Sequence, residues 1–231
     1  MLENDISAVF VRANIIDDRS ENIGEQFFPN EIKENDYYQL DFEKLFSLIL
    51  KYDNFLITPS VMARVDLYQQ QVKSWNGKEF KTSADLDVWL RFSLIKDVGI
   101  ITKKLISYRL SKSSYSYRVK FTRILPRDMF LVTDYYLDKY KQLNFNLSDY
   151  QYLMFKDNII VISNRIFNGN LVKSNEIKLG NLKVISRLLF SKQKTKVYIY
   201  ALLIKIGLYF NANKILLKFV ALVNKIPNSI K

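Results

Sequence analysis

Apolar residues in the first part of the chain alternate between strand-like and helical spacing. Residues 6–16 are rich in Val, Ile and Phe with partial alternation, which predicts a β-strand. The polar residues 17–24 that follow are typical of a turn. Residues 40–52 carry Leu and Ile near helical spacing, so they predict a helix. This succession indicates a mixed α/β body.

The stretch up to residue 110 predicts further short elements of this body. Residues 55–65 should start extended, because a residue before proline, here Pro59, is disfavoured in helical angles. Residues 74–81 contain Asn-Gly and predict a loop. Residues 99–102 and 105–110 predict two short strands.

The clearest helix is predicted over residues 82–97. Thr82 and Asp85 have the spacing of a capping box, in which each side chain bonds the other residue's backbone N–H. An apolar stripe follows at helical spacing and consists of Leu86, Trp89, Leu90 and Leu94. From Arg123 onward the pattern is helical, so we expect a division into residues 1–122 and residues 123–231.

Two residue types are missing from the sequence, and their absence excludes several kinds of chemistry. The chain has no cysteine and no histidine. Disulfides, thiolate metal sites, Ser-His-Asp triads and His-ligated zinc are therefore excluded. Acid–base chemistry must come from carboxylates, Lys or Tyr.

The positive charge is concentrated in the last quarter of the chain. Residues 171–231 hold 12 Lys and Arg and one acidic residue, which gives +11 of the total +12. This asymmetry predicts an anionic surface as the partner of the tail. The N-terminus has no basic segment before an apolar run, so we expect no signal peptide and a cytoplasmic location.

The apolar segment of residues 197–223 is long enough to span a membrane, but lysines interrupt it. A lysine in mid-bilayer costs roughly 2.5–3.5 kcal/mol, so two amphipathic helices on the membrane surface fit better. The alternative is a helical tail that packs on the body with its lysines in solvent. Nucleic acid is not expected as a partner, because the chain shows no recognisable binding motif.

Residues 58–116 carry a resemblance to a known family. The segment reads TPSVMARVDLYQ, a loop, and then SADLDVWLRFSLIKDVGIITKKLISYRLSKSSYS. In order and spacing it is similar to bacterial inverting family-two glycosyltransferases: a Pro-Ser-x-Met-x-Arg strand, a helix with an acid before Trp-Leu-Arg, and then Tyr-Arg. The resemblance implies an α/β fold, a partial GT-A-like glycosyltransferase body over residues 1–122, followed by an α-helical C-terminal region with a basic amphipathic tail.

The resemblance assigns the central role to Asp85. In the family, the aspartate before Trp-Leu-Arg deprotonates the acceptor hydroxyl as that hydroxyl attacks the anomeric carbon. A carboxylate near a helix N-terminus suits this task, since the helix dipole favours its ionised form. The alternative is an ordinary capping acid in the first turn, which predicts the same residue type.

Four further residues are candidates for substrate binding, each with a structural alternative. Asp87 lies four residues before Arg91, and the two could form an exposed ion pair on the helix. Trp89 could line a sugar pocket or belong to the core. Arg64 and Arg109 could grip diphosphate oxygens or form structural ion pairs.

The chain departs from the family in two respects. The family's nucleotide-binding half, which ends in a metal-holding Asp-x-Asp, has no counterpart in this sequence. Asp17-Asp18 lies where the family has an ordinary turn, so turn chemistry is the expectation there. No histidine follows Tyr108-Arg109, unlike in many relatives. We therefore expect no cofactor in this chain, and a divalent metal, Mg or Mn, only if a separate N-terminal half supplies its site.

The resemblance implies transfer of a sugar from a nucleotide-sugar donor to a lipid-linked or saccharide acceptor. Such reactions build bacterial surface polysaccharide, including O-antigen and capsule, at the inner face of the cell membrane. Two alternatives stay open. One is a non-catalytic remnant or a membrane-associated partner subunit of a glycosyltransferase complex, and the other is an unrelated basic membrane-binding protein.

Overall fold

The computed structural model describes residues 5–111, 122–179 and 192–225. They form two compact units, and the protein is a mixed α/β chain, as predicted. The first unit comprises Met1–Arg118 and Asp128–Asp149, and the second comprises Val119–Arg127 and Tyr150–Lys231. The predicted division at residue 122 differs from this arrangement, because residues 128–149 return to the first unit. The end of the family-like segment, from residue 112, lies outside the described residues.

A five-stranded mixed sheet organises the first unit. The predicted strand over residues 6–16 is confirmed as β1 (Ala8–Ile16), which pairs on both edges. On one edge, β1 runs parallel to β5 (Val98–Arg109), and β3 (Tyr37–Leu40) adds antiparallel to β5. On the other edge, β1 pairs antiparallel with β4 (Val61–Ala63) at its start and with β2 (Asn22–Glu25) at its end.

The two strands predicted after residue 98 are one continuous strand. The register between β1 and β5 shifts around Val11, Arg12 and Ala13, so that Lys104 faces Arg12 and Ile106 faces Ala13. A bulge inserts residues into one strand without ending the ladder. The polar residues near Lys103 therefore interrupt the apolar pattern but not the strand.

The helices of the first unit pack around this sheet. α1 (Phe42–Tyr52) confirms the helix predicted over residues 40–52, and its Asp41 cap accepts a hydrogen bond from the Lys44 N–H at 2.8 Å. The other helices are α2 (Val65–Leu67), which continues as a π-helical turn (Tyr68–Val72), α3 (Gly77–Phe80), α4 (Ala84–Ile95) and α5 (Met129–Lys139).

The start of α4 differs from the prediction. The capping box was wrong, because the Thr82 hydroxyl donates to the carboxylate of Asp128 at 2.6 Å instead of capping the helix. The helix consequently begins at Ala84, after a 3-10 turn (Lys81–Ser83). The loop predicted over residues 74–81 is also shorter than expected, since α3 already begins at Gly77.

The second unit is helical, as the pattern after Arg123 predicts. It contains most of α6 (Ser148–Phe167), together with α7 (Lys192–Tyr209) and α8 (Asn213–Lys225). Residues 197–223 thus form two helices, with a break around residues 210–212. An apolar core joins the three helices and consists of Ile159, Ile162, Ile166, Ile177, Tyr200, Ala201, Ile204, Leu208, Leu216 and Val220.

A buried ion cluster fixes the start of this unit. Asp157 is 2% exposed and accepts hydrogen bonds from Arg123 at 2.6 Å and from Arg127 at 2.9 Å. In the described ranges, no helix has both the length and the apolar content to cross a bilayer.

Candidate functional site

An open apolar groove of about 290 Å³ lies on the surface of the first unit. We call it the aromatic groove, because four of its eight lining residues are aromatic. One wall comes from the chain that follows β4, and the other comes from α4. The lining residues are Ala63, Arg64, Val65, Tyr68, Trp75, Val88, Trp89 and Phe92.

One face of α4 links the groove to the proposed base. Asp85 precedes Trp89 by four residues and Phe92 by seven, which places all three on the same side of the helix. The Thr58 hydroxyl donates to Asp85 Oδ2 at 2.6 Å, and the Leu86 N–H donates to Oδ1 at 2.8 Å. Thr58 lies in the 3-10 turn just before β4. Asp85 is thus bonded to the turn that leads into β4, next to the groove but outside its lining.

Arg64 lies on the other wall and has an ion-pair partner. Its guanidinium donates to Asp66 at 3.2 and 2.7 Å, so the structural ion pair expected for Arg64 is confirmed. This hydrogen-bonded pair raises the pKa of Arg64 and lowers that of Asp66. Both side chains are partly exposed to solvent, Asp66 orients the guanidinium, and Arg64 is among the residues that line the groove.

The aromatic rings of the groove form a connected set. Tyr68 stacks near Phe92 with ring centroids 6.4 Å apart, and Phe92 stacks near Trp89 at the same distance. Trp75 is 57% exposed at the groove. Flat aromatic faces exposed in a groove offer stacking surfaces of the kind that sugars use.

Trp89 is part of the core and also lines the groove, which were the two alternatives expected for it. It is only 6% exposed and packs its edge against Phe10 at 5.4 Å, yet it also lines the groove. Its indole Nε1 has no hydrogen-bond partner within the described residues. A buried N–H without a hydrogen-bond partner costs about 1–3 kcal/mol.

Asp87 occupies a different side of α4 and serves a buried network. The ion pair with Arg91 is confirmed at 2.7 Å, but the expectation of an exposed pair was wrong, because Asp87 is 1% exposed. The Tyr136 hydroxyl donates to Asp87 Oδ1 at 2.9 Å, and the Asn76 amide donates to Oδ2 at 3.0 Å. These partners cover a carboxylate that α4 alone would leave in solvent. Asp87 is not part of the groove lining.

The same network holds the loop that carries Trp75. Besides Asp87, the Arg91 guanidinium donates to the backbone carbonyls of Val72 at 2.5 Å and Ser74 at 2.6 Å. Trp75 is the next residue along the chain. Asp87 therefore orients Arg91, and Arg91 fixes the backbone that presents Trp75 to the groove.

Arg109 lies apart from the groove at the end of β5. It donates to the backbone carbonyl of Asp17 and, at 2.9 Å, to the Ser20 hydroxyl, so its described partners do not include a carboxylate. The Asp17 side chain accepts hydrogen bonds from the N–H groups of Arg19 and Glu21. The turn role expected for Asp17 is thus confirmed, and Arg109 braces that turn.

Of the residues named from the sequence, Trp89 and Arg64 line the groove, whereas Asp85, Asp87 and Arg109 do not. Val88 and Phe92 could have been found, because they lie beside Trp89 at helical spacing. Tyr68 and Trp75 could not, since a π-helical turn and an irregular loop carry them and neither has a readable period.

Residues 5–111, 122–179 and 192–225 contain no group of three or more Asp, Glu, His or Cys side chains that could hold a metal ion. Comparisons of the chain with protein-family models, curated proteins and solved structures find no match.

Proposed function

We propose that this chain is the acceptor-binding part of a bacterial inverting glycosyltransferase of the family-two type. The aromatic groove holds a saccharide or lipid-linked sugar acceptor, and Asp85 is the base. The donor is a nucleotide sugar, held by a nucleotide-binding half that acts together with this chain. The finer GT-A-like assignment of the body is part of this proposal.

The observation that carries the proposal is the common face of α4. Asp85 stands at the first turn of the helix, and the side chains one and two turns later form a wall of the groove. Trp89 follows Asp85 by one helical turn, about 5.4 Å along the axis, so a sugar in the groove beside Trp89 would lie near the carboxylate. General bases act within hydrogen-bond reach of the proton that they take, so this spacing suits an acceptor ring.

The sugar is transferred in a single displacement at its anomeric carbon. The acceptor hydroxyl oxygen forms a bond to the anomeric carbon of the donor, and its proton passes to the carboxylate of Asp85. The bond from the anomeric carbon to the diphosphate oxygen breaks, and the nucleoside diphosphate leaves with that electron pair. Thr58 keeps the carboxylate in place through its 2.6 Å hydrogen bond.

Arg64 gives the groove a positive rim. A guanidinium can bind two phosphate oxygens at once, which fits the phosphate of a lipid-linked acceptor. Asp66 orients it but leaves it partly exposed. Asp87 supports the groove through Arg91 instead of touching the acceptor, and Arg109 has no part in this proposal.

Intrinsic fluorescence gives a direct test of acceptor binding. The chain has two tryptophans, Trp75 and Trp89, and both line the groove. Titration of the full chain with a panel of bacterial surface oligosaccharides should change the emission for at least one class of sugar. Trp75→Ala should weaken that binding at least tenfold on a glycan array.

Phe27→Ala is the matched control, because Phe27 is 52% exposed and lies outside the groove lining. It should bind the same sugars as the unmodified chain. If no oligosaccharide in the panel binds, or if binding survives Trp75→Ala unchanged, the groove is not an acceptor site and the proposal fails.

A further inference from the structure

α7 and α8 contact each other and form a helical hairpin near the C-terminus. The first of these helices, α7, has two apolar faces. At 3.6 residues per turn, one face holds the buried residues Val197, Tyr200, Ala201, Ile204 and Leu208. The opposite face holds Ile199, Leu202, Leu203, Ile206, Tyr209 and the adjoining Phe210, which are all exposed. We call this second set the outer face of the hairpin.

The packed helical tail, expected as the alternative, is confirmed for one face of α7 only. The inner face of α7 belongs to the core of the second unit, which explains why this helix forms and where it packs. The outer face is not part of that core, and its residues Tyr209 and Phe210 are 73% and 72% exposed. A helix that is apolar on all sides is normally buried on all sides. We therefore expect the outer face to contact a further surface.

The charge around the outer face identifies the kind of surface that covers it. Residues 192–225 contain seven lysines and no aspartate or glutamate. Lys196 lies on α7, and Lys214 and Lys218 lie on α8; all three are exposed. Lys196 lies three residues before Ile199, so it borders the outer face. An apolar helical face in a lysine-rich hairpin matches the interface of an anionic bilayer, where acyl chains lie next to phosphate groups.

A second copy of this chain is a poorer match. Stacking two outer faces against each other would bring the lysines of one hairpin close to those of the other, with no acidic residue in either hairpin to compensate. Like charges in apposition oppose association. An anionic lipid surface has the opposite charge and carries no such penalty.

We infer that the outer face of the hairpin inserts into the interface of anionic membranes, with Lys196, Lys214 and Lys218 contacting lipid phosphates. The helix then lies along the membrane surface and keeps its inner face on the core of the second unit. This inference does not depend on sugar transfer, because it rests on the hairpin alone.

The absence of cysteine makes a site-specific test possible. A single cysteine at Ile206, on the outer face, can carry an environment-sensitive fluorophore with no background labelling. On vesicles of phosphatidylcholine and phosphatidylglycerol in equal parts, the emission should shift to the blue and grow in intensity. The same probe at Lys141→Cys, an exposed position in the first unit, should stay unchanged.

A loss-of-binding variant completes the test. Leu202→Ser with Leu203→Ser should reduce vesicle co-sedimentation at least tenfold, because both side chains lie on the outer face. Leu105→Ser, at an exposed apolar position of β5, is the control and should bind normally. Added salt should weaken binding of the unmodified chain, since exposed charges are screened beyond about 10 Å at 0.1 M.

Three results would overturn the inference. The first is no response of the probe at residue 206 to vesicles, the second is an equal response to pure phosphatidylcholine, and the third is a shift with protein concentration in the absence of lipid. The last result would assign the outer face to a second copy of the chain.

Discussion

Tyr136 donates its phenol hydrogen to the carboxylate of Asp87 at 2.9 Å, across 49 positions of sequence. The bond ties α5 to α4 and lies in the buried part of the first unit. Tyr136→Phe should lower the free energy of unfolding by about 1.5–3 kcal/mol, the usual value for a hydrogen bond to a charged group. Urea denaturation followed by circular dichroism measures the change. Tyr135→Phe, whose exposed hydroxyl only accepts a bond from Lys139 at 3.3 Å, should change stability by less than about 0.5 kcal/mol.

The same tyrosine predicts a loss of stability at high pH. Burial, together with the negative charge of Asp87, raises the pKa of Tyr136 above its ordinary value of 10.0. The unfolded chain therefore releases this proton near pH 10 while the folded chain keeps it. The stability contributed by the protonated phenol is complete below pH 10 and is lost as the pH rises above it, by up to about 1.4 kcal/mol per pH unit.

This pH effect is isolated by comparing the unmodified chain with Tyr136→Phe. Unfolding free energies measured from pH 9 to pH 11 should fall more steeply for the unmodified chain, because the variant has no proton to release at this position. Parallel curves for the two proteins would mean that Tyr136 does not keep its proton in the fold.

Arg91 should control the loop that presents Trp75. Arg91→Lys keeps the charge beside Asp87, but one ammonium group cannot serve Asp87 and the carbonyls of Val72 and Ser74 as the guanidinium does. The loop should open more often, and trypsin should cleave after Lys73 several times faster, as measured by mass spectrometry. Arg19→Lys, at an exposed turn position, is the control. An unchanged cleavage rate in Arg91→Lys would show that other contacts hold the loop.

Catalysis should depend on Asp85 and, to a lesser degree, on Thr58. Once a nucleotide-binding half and a donor are supplied, Asp85→Asn should lower the transfer rate by about 10²–10⁴-fold, the range for loss of a general base. Circular dichroism should stay unchanged. Thr58→Val removes the hydrogen bond to Asp85 and should lower the rate less, while Thr58→Ser keeps the hydroxyl and should retain most of it. Full activity in Asp85→Asn would remove this residue from the mechanism.

Gly207 should be sensitive to the smallest enlargement. A Cβ atom at this position would lie 2.6 Å from the Leu216 side chain, at the contact of α7 and α8. Gly207→Ala should therefore destabilise the hairpin by about 1–3 kcal/mol through overpacking, although alanine is the better helix former by about 1 kcal/mol. Thermal unfolding followed by circular dichroism is the measurement.

A double variant separates this clash from a general effect on the helix. Leu216→Ala alone should cost about 2–5 kcal/mol, because it leaves a cavity. Combined with Gly207→Ala, it removes the atoms that the new methyl group would meet. The double variant should therefore lose less unfolding free energy than the sum of the losses in the two single variants. Strict additivity would mean that the two residues do not compete for space.

Periodic segments were predicted well from the sequence, and segments with long-range partners were not. The strand at β1 and the helix at α1 both follow from local apolar spacing, and both formed within two residues of expectation. The capping box at Thr82 failed because Asp128, 46 residues away, takes its hydroxyl. Local spacing carries no information about such a partner.

The candidate site shows the same limit. Helical spacing places Asp85 and Trp89 on one face, so that part of the site follows from the sequence. The burial of Asp87 does not, because Tyr136 and Asn76 approach it from other parts of the chain. The exposed Trp75 is likewise set by Arg91 through backbone carbonyls, which no sequence pattern encodes.

The order in which the two units use the chain has a consequence for synthesis on the ribosome. Arg123 and Arg127 belong to the second unit, but residues 128–149, which follow them, belong to the first. Arg127 is made 30 residues before Asp157, its buried partner. At about 5–20 residues per second, Asp157 is therefore synthesised about 1.5 to 6 seconds after Arg127. Tyr136 is synthesised during this interval. The first unit therefore has its buried tyrosine before the second unit has Asp157.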